Sequence, residues 1–572
     1  MSCLQARSRG FFADRIRITA KSNNLLKTIA AMQNLQYNKC NRLTNENRLS
    51  LSHRRTEKHK KGFKNMAYVI GVDCGTSGTK TVLFDEIGTV IASKTIEYPM
   101  YQPKNGYAEQ DPADWADAMI GTIKAVMAAS GVDKRDVKGI GISGQMHGLV
   151  MLDADNRVLR RSIIWCDQRT AAEVAEMNEK LGEKKLIEIT ANPALTGWTA
   201  AKILWVKNNE PEIYEKCRHI LLPKDYLRFI LTGEYATEVS DASGMQLLDV
   251  PNRCWSEEVC TALGIDMSML GRVYESSEIT GTVTKKMADE LGLCEGTVVV
   301  GGAGDNAAAA IGTGVCEDGK AFTTIGTSGV VFAHTSDISI DPKGRVHTCC
   351  AAVPDSWHVM GVTQGAGLSL KWFRDNFCNA EKETAKYMGV DEYYLMDKEA
   401  MTVPVGANRL LYLPYLMGER TPHLDPDARG VFFGLSAMHT KKDMLRAVLE
   451  GVSYSLRDCV EVFREMNISV SDMMACGGGV TSPLWRSMLA DLYNCPVKTA
   501  ASKEGPALGV ALLALTGAGI YSSVPEACHA VVKTDKIQQP EAENVPEYEK
   551  YYQLYREIYP ALKDKFAALA KL

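Results

Sequence analysis

Residues 66–101 alternate short apolar runs with polar turns. "AYVIGVD", "TKTVLFD" and "TVIASKTIEY" are rich in β-branched and aromatic residues and predict three successive strands. "DPADWADAMIGTIKAVMAAS" then spaces its apolar residues as a helix does, and Asp111-Pro112 makes a good helix entry. "VKGIGISG" returns to a buried-strand pattern that ends in glycine. The segment from about Glu173 to Glu278 is more polar and helix-like, an elaboration of the first domain. "TVVVGGAGDNAAAAIGTG" starts a new register of strand, glycine turn and alanine-rich helix. Next come a hairpin pattern, "AFTTIGTSGVVFA", a buried helix, "MLRAVLEGVSYSLRDCVEVFREM", and a strand–turn, "DMMACGGGVTSPLW". "EYEKYYQLYREIYPALKDKFAALAKL" closes the chain as an amphipathic helix. Strands alternating with helices argue an α/β fold with a mainly parallel or mixed sheet.

The tetrapeptide Gly-Thr-Ser-Gly occurs at Gly75–Gly78 and again at Gly326–Gly329, 251 positions apart (326 − 75). Each copy sits between strand-like runs near the start of a domain, an internal similarity that points to a duplicated architecture. The boundary between the copies is placed near Gly314–Asp318, giving domains 66–315 and 316–572.

Composition narrows the class. A chain of 572 residues allows roughly two to four domains at about 150 residues each. No apolar run approaches the roughly 18 residues of a membrane helix. The sixteen cysteines are scattered, without zinc-like spacing, and read as reduced thiols of a cytoplasmic enzyme. The net charge of −4 hides an asymmetry. Residues 1–65 hold 15 Lys/Arg and 3 Asp/Glu, a surplus of +12, so the remainder carries −16 (−4 − 12). A basic arm is compatible with a transit peptide or a nucleic-acid contact. The reading adopted is an upstream extension or disordered tail before a natural start at Met66, with no nucleic acid and no membrane as partners.

Five motifs carry candidate chemistry. In the first hairpin, glycines free backbone N–H groups to turn toward an anion, and Thr76, Ser77 and Thr79 add hydroxyls. Lys80 adds a charge that could also face away. Asp73 ends the strand, where a carboxylate could hold Mg²⁺ through water. Taken alone, that stretch is better accounted for by an ordinary glycine hairpin. The second hairpin makes a two-sided cradle for a nucleotide's phosphates the more physical reading, with closure by domain movement. Asp305 follows three glycines and precedes a helix, the place of an N-cap or of a general base in a cleft. Asn306 beside it can donate and accept hydrogen bonds. "GISGQMHGLV" puts Gln145, Met146 and His147 at a strand end, where α/β folds bind ligands, or where a loop simply buries them. Gly477–Gly479 allow close approach of a base or phosphate, or a tight strand–helix turn. The chain has no Gly-x-x-x-x-Gly-Lys-Ser/Thr loop.

Taken in order, "IGVDCGTSGTK", "ISGQMHG", "LLPKDYLRFILTGEYATEVSDASG", "GGAGDNAAAAIGTG", "IGTSGVVFA", "LPYLMGERTPHLDPDARGVFFGL" and "CGGGVTSPLWRSMLADL" resemble the FGGY carbohydrate kinases, in their xylulose-phosphorylating branch. The resemblance spans about residues 67–555 and excludes the basic arm. It implies two actin-like, ribonuclease H-like domains around an interdomain cleft, and ATP-dependent phosphorylation of D-xylulose at its 5-hydroxyl. It gives Asp305 the role of general base and Asp73 that of an essential carboxylate linked to Mg²⁺. Met146 and His147 match the sugar-binding pair, assisted by Asn306, with Trp198 beside the sugar. Gly326, Thr327, Gly367, Gly478 and Ser482 match positions lining the ATP site. The duplicated turn itself, rather than the resemblance, assigns Thr76 and Ser77 to the transferred phosphate. A homodimer is the family's expectation. Ribulose, gluconate or a related ketose are alternative substrates, and a non-catalytic sugar sensor or an actin-like ATPase are alternative classes. As an ordinary aspartate, Asp305 is expected to titrate near 3.9 and be ionised at neutral pH.

Overall fold

The principal strands and helices follow the apolar pattern. In the computed structural model, which describes residues 66–572, β1 (Tyr68–Cys74), β2 (Gly78–Asp85) and β3 (Val90–Glu97) form the predicted antiparallel run. The expectations for residues 1–65 lie outside the described residues. Helix α1 (Pro112–Ser130) starts where Asp111 and Pro112 predict it. The Asp111 carboxylate accepts from the Ala113 N–H at 3.0 Å, and Gly131, at φ 66°, ends the helix in the left-handed region. Strand β4 (Val137–Gly144) then pairs parallel with β1. Helix α2 (Thr199–Asn209) belongs to the polar insertion. Strands β5 (Ile279–Thr282), β6 (Val298–Val300) and β7 (Ala303–Gly304) complete a seven-stranded sheet of order β5-β6-β4-β1-β2-β3, with β7 also pairing β4. Helix α3 (Asp305–Gly312) follows β7 directly.

The second half repeats this plan. Strands β8 (Gly319–Ile325), β9 (Gly329–Thr335), β10 (His347–Cys350), β11 (Trp357–Thr363), β12 (Val470–Cys476), β13 (Val497–Ala500) and β14 (Thr534–Gln538) form a second sheet. Its order is β10-β11-β9-β8-β12-β13-β14. Three antiparallel strands, two parallel additions and an antiparallel edge occur in the same order as in the first sheet, with β10 added outside β11. The internal repeat expected from the duplicated tetrapeptide is therefore a repeat of sheet topology. The second core gathers around α4 (Ala366–Phe377), α5 (Lys441–Glu465) and α6 (Pro483–Tyr493). Thr440 and Asp443 close a reciprocal cap at the start of α5.

Helix α7 (Gly505–Gly517) is apolar on all sides, and a helix of that kind must be buried all round. It lies in the second half of the sequence, yet it packs with Val69, Val82, Phe84, Ala307 and Ile311 of the first. Glycines make this possible. A Cβ at Gly71 would stand 2.0 Å from the Ala507 carbonyl oxygen, and one at Gly141 would stand 2.1 Å from that of Val510. Helices α3 and α7 cross backbone to backbone, so a Cβ at Gly509 would meet the Ala308 carbonyl oxygen at 1.8 Å. The last helix, α8 (Asn544–Leu569), lays Tyr548, Tyr552, Tyr555 and Tyr559 against the second core, as its amphipathic pattern predicts.

The α3–α7 crossing gives a stability test. Gly509→Val should cost about 1–3 kcal/mol or more, because the neighbour is backbone and cannot yield. Gly505→Ala, whose Cβ would meet nothing within 4 Å, should stay within about 0.5 kcal/mol of the parent. Thermal melting of the two variants measures the difference.

Candidate active site

Parallel pairing brings the expected chemistry to one edge of the first sheet. Asp73 on β1 is level with Ser143 on β4, and Ser143 is level with Ala303 on β7. Asp73, the Gln145–His147 loop and Asp305 thus leave the sheet side by side at the ends of three adjacent strands. Asp305 is the first residue of α3 and Gly304 is its N-cap, so the simple N-cap role does not hold. The Asp305 carboxylate accepts instead from the Asn306 N–H at 2.7 Å and from its side-chain amide at 3.0 Å.

The electrostatics correct one expectation. Burial, followed by the negative charge of Asp73, pushes the Asp305 carboxyl up to about 7. It is not an ordinary carboxylate near 3.9. Burial also lifts Asp73 to about 6, against the pull of the Ser143 hydroxyl and Lys80. Two half-buried carboxyls, one raised further by the charge of the other, form an undercompensated acidic pair. Such a pair suits a hard divalent cation bound by one or two carboxylates, with waters and phosphates completing its shell. Among the described residues no cluster of three or more acidic, His or Cys side chains offers a complete protein cage. The donors therefore fit Mg²⁺ held in part by a nucleotide.

Beside the acids stands the expected sugar pair. Met146 packs against Gly304, where a Cβ would meet its Cγ at 2.9 Å. His147 takes φ 66°, a strained conformation that its surroundings hold. Thr199 Oγ1 and Lys202 Nζ both donate to the His147 carbonyl, at 3.1 and 2.7 Å. Burial brings the Lys202 ammonium down to about 7. His147 Nδ1 lies 2.8 Å from the Gly244 carbonyl oxygen, and burial lowers its imidazole to about 3. The ring is therefore neutral, with Nδ1–H donating to Gly244 and Nε2 left as an acceptor. Trp198 stacks on it with centroids 4.5 Å apart and an interplanar angle of 22°.

Each glycine turn has its own supports. In the first, Tyr98 Oη donates to the Gly75 carbonyl at 2.6 Å and Gln110 Nε2 to the Thr76 carbonyl at 2.7 Å. Trp165 Nε1 donates to Thr76 Oγ1 at 2.9 Å, and Ser77 is exposed. Lys80, opposite Asp73 across the hairpin, forms an ion pair with Glu504 just ahead of α7, and both charges reach Asp73. In the second, Gly326 and Thr327 are exposed, and their carbonyls receive the N–H groups of Gly367 and Leu368 at 2.8 and 3.1 Å. A Cβ at Gly367 would stand 2.3 Å from the Gly326 carbonyl oxygen. Gly477 packs on Ile325, which sets exposed Gly478 next to the same turn. Ser482 caps α6, its Oγ accepting from the Trp485 N–H at 3.0 Å. The structure thus gathers Asp73, Asp305, Asn306, Met146 and His147 in one group and Gly326, Thr327, Gly367 and Gly478 in another. Among the described residues no hydrogen bond joins the two turns.

Two groups escaped the sequence reading. His347, on β10 of the second sheet, lies with its ring 5.3 Å from Trp198 and its Nδ1 3.2 Å from Asn192 Oδ1. It lies in no recognisable motif. Arg420 belongs to "GERTPH", which carries the resemblance without a role for this side chain. Its charge reaches both His147 and His347.

Comparison with known proteins identifies the family and the fold. The FGGY family of carbohydrate kinases matches with its N-terminal domain over residues 68–312 and its C-terminal domain over residues 321–518. The xylulose kinase of Bacillus subtilis (strain 168) is 41% identical over 504 residues, which are 88% of this chain and 99% of that protein. A crystal structure of a xyloylose kinase from Brucella ovis superposes with a TM-score of 0.80 at 36% identity, covering 87% of this chain and 99% of that one. The gluconate kinase from Lactobacillus acidophilus superposes with a TM-score of 0.82 at 28% identity, covering 88% of this chain and 100% of that one. The chain belongs to the FGGY family of carbohydrate kinases: it is a two-domain α/β sugar kinase.

Proposed function

We propose that the chain transfers the γ-phosphoryl group of ATP to the 5-hydroxyl of D-xylulose. The observation that carries this is the half-buried Asp73–Asp305 pair, raised in pKa, standing beside a neutral His147. The choice of xylulose rests on full-length relatives that bear that name. Asp305 accepts the hydroxyl proton as the sugar oxygen attacks the γ-phosphorus and ADP leaves. Met146 and the His147 Nε2 acceptor orient the sugar, and Asn306 fixes the Asp305 carboxylate. Mg²⁺, held in part by Asp73, would supply charge neutralisation at the phosphates. Thr76 and Ser77 serve the transferred phosphate, while Gly326, Thr327, Gly367, Gly478 and Ser482 line the nucleotide. In this scheme residues 66–315 form the sugar-binding domain and residues 316–572 the nucleotide-binding domain. A non-catalytic sensor would have no need for the acidic pair, and both of its members are present.

A general base raised to about 7 is better matched to proton transfer at neutral pH than an ordinary aspartate. The kcat/KM for the sugar should therefore fall about tenfold per pH unit below roughly 6–7, and a profile flat down to pH 5 would exclude Asp305 as the base.

Asp305→Asn should lower kcat by roughly 10²–10⁴-fold while leaving ATP binding in place. It should not destabilise the fold. A carboxyl whose folded pKa lies above its unfolded one favours the protonated native state, and that advantage is lost as pH rises through about 7. Removing the group should thus leave the melting temperature at pH 8 equal to the parent's or above it. Near-normal kcat would overturn the base assignment.

ADP release measured across D-xylulose, ribulose, gluconate and glycerol tests the substrate. D-Xylulose is expected to give the highest kcat/KM. Hydrolysis of ATP independent of any sugar would favour an actin-like ATPase instead.

A further inference from the structure

The lysine behind the sugar pair has no counter-charge. Lys202 is fully buried, and among the described residues it forms no ion pair. Its one hydrogen bond among them runs from Nζ to the His147 carbonyl at 2.7 Å. Withdrawing an ammonium from water is costly unless partners replace its hydration. The carbonyl itself does not require a charged donor, because Thr199 Oγ1 already donates to it at 3.1 Å. A neutral side chain would satisfy the same acceptor at less cost. The charge calls for a reason beyond satisfying one carbonyl.

That reason lies in the backbone of His147. The residue stands at φ 66°, a left-handed conformation that a non-glycine residue keeps only when its surroundings enforce it. The first turn of α2 enforces it from three side chains. Trp198, the N-cap, stacks on the imidazole with centroids 4.5 Å apart. Thr199 and Lys202 are three residues apart on the helix, hence on one face, and both reach the carbonyl. Among the described residues no backbone N–H bonds to that carbonyl, so the two side chains alone hold it. The next residue has no slack either, since a Cβ at Gly148 would meet Pro223 Cγ at 2.4 Å. With the backbone held and Nδ1 tied to the Gly244 carbonyl at 2.8 Å, the direction of Nε2 is set.

We infer that Lys202 is a positioning residue of the sugar site: through the His147 carbonyl it holds the imidazole in the orientation from which Nε2 accepts a hydrogen bond from a sugar hydroxyl. A charge-assisted bond is shorter and stronger than a neutral one, so it restrains a strained residue more tightly than Thr199 does alone. Lys202 touches no reacting atom in this scheme and acts only through His147. The inference rests on the reading above that His147 orients the sugar, and adds the group that keeps His147 in place. It does not depend on which sugar is used.

The test is a double-mutant cycle in the full-length protein with Lys202→Met, His147→Ala and the two combined, run on the sugar the wild type phosphorylates best. Loss of one charge-assisted hydrogen bond should raise the sugar KM in Lys202→Met by about 10–100-fold and leave the KM for ATP unchanged. The melting temperature should equal the wild type's or exceed it, because a buried charge without a counter-ion is gone. In the His147→Ala background the same change should raise the sugar KM by no more than about threefold, since the ring it positions is absent. Thr199→Val removes the other donor to the same carbonyl with little change of shape. It should repeat the pattern with a rise of about two- to tenfold, and it decides the matter if Lys202→Met does not fold. An unchanged sugar KM, equal rises for sugar and ATP, or the same rise with and without the His147 ring would overturn the inference. A wild type that prefers ribulose or gluconate would sink the D-xylulose reading and leave this inference standing.

Discussion

Parallel pairing of β1, β4 and β7 is the constraint on which the site depends. Parallel strands end on the same side, so whatever follows each strand emerges at one edge of the sheet. The register is tight: Asp73 and Ala303 each pair with Ser143, and Cys74 and Gly304 each pair with Gly144. A slip by one residue would turn Asp73 to the opposite face. Glycines protect that register. Gly71 and Gly141 let α7 press onto the sheet, so the strands cannot slide without losing a helix apolar on every side.

The elements that local chemistry dictates were legible in the chain. Alternation gave β1–β3, Asp111-Pro112 gave the start of α1, and the repeated Gly-Thr-Ser-Gly gave two equivalent hairpins in equivalent sheets. Asp73, Asp305, Met146 and His147 were legible for the same reason, because strand ends carry them and glycines flank them. What stayed hidden depends on distance in the chain. Helix α7 joins the first core although it follows β13, and no pattern within Gly505–Gly517 says which sheet it will cover. His347 reaches Trp198 from the second half of the chain, and it shows no period or spacing that points there.

The titration behaviour of Asp305 was hidden too, for a different reason. A sequence names the ionisable group, but its pKa belongs to the surroundings. Burial and the nearness of Asp73 raise it, and both follow from strand register rather than from any residue next to Asp305. The correction matters for mechanism. A carboxylate near 3.9 would be ionised in any ordinary buffer and would be a feeble base. Raised to about 7, it becomes a stronger proton acceptor while a large share of it stays ionised at neutral pH.

The two glycine turns are alike in sequence and unlike in support. The first is tied by side chains: Tyr98, Gln110 and Trp165 hold its backbone and the Thr76 hydroxyl. The second is tied by backbone: Gly367 and Leu368 donate to its carbonyls. At the position matching Asp73 it carries Thr324, so it has no carboxylate of its own. A phosphate approaching the second turn meets no fixed negative charge there, and one approaching the first meets an acidic pair that only a cation can offset. The duplication therefore explains the shape of both turns. The single substitution between Asp73 and Thr324 explains why only the first turn carries an acidic charge.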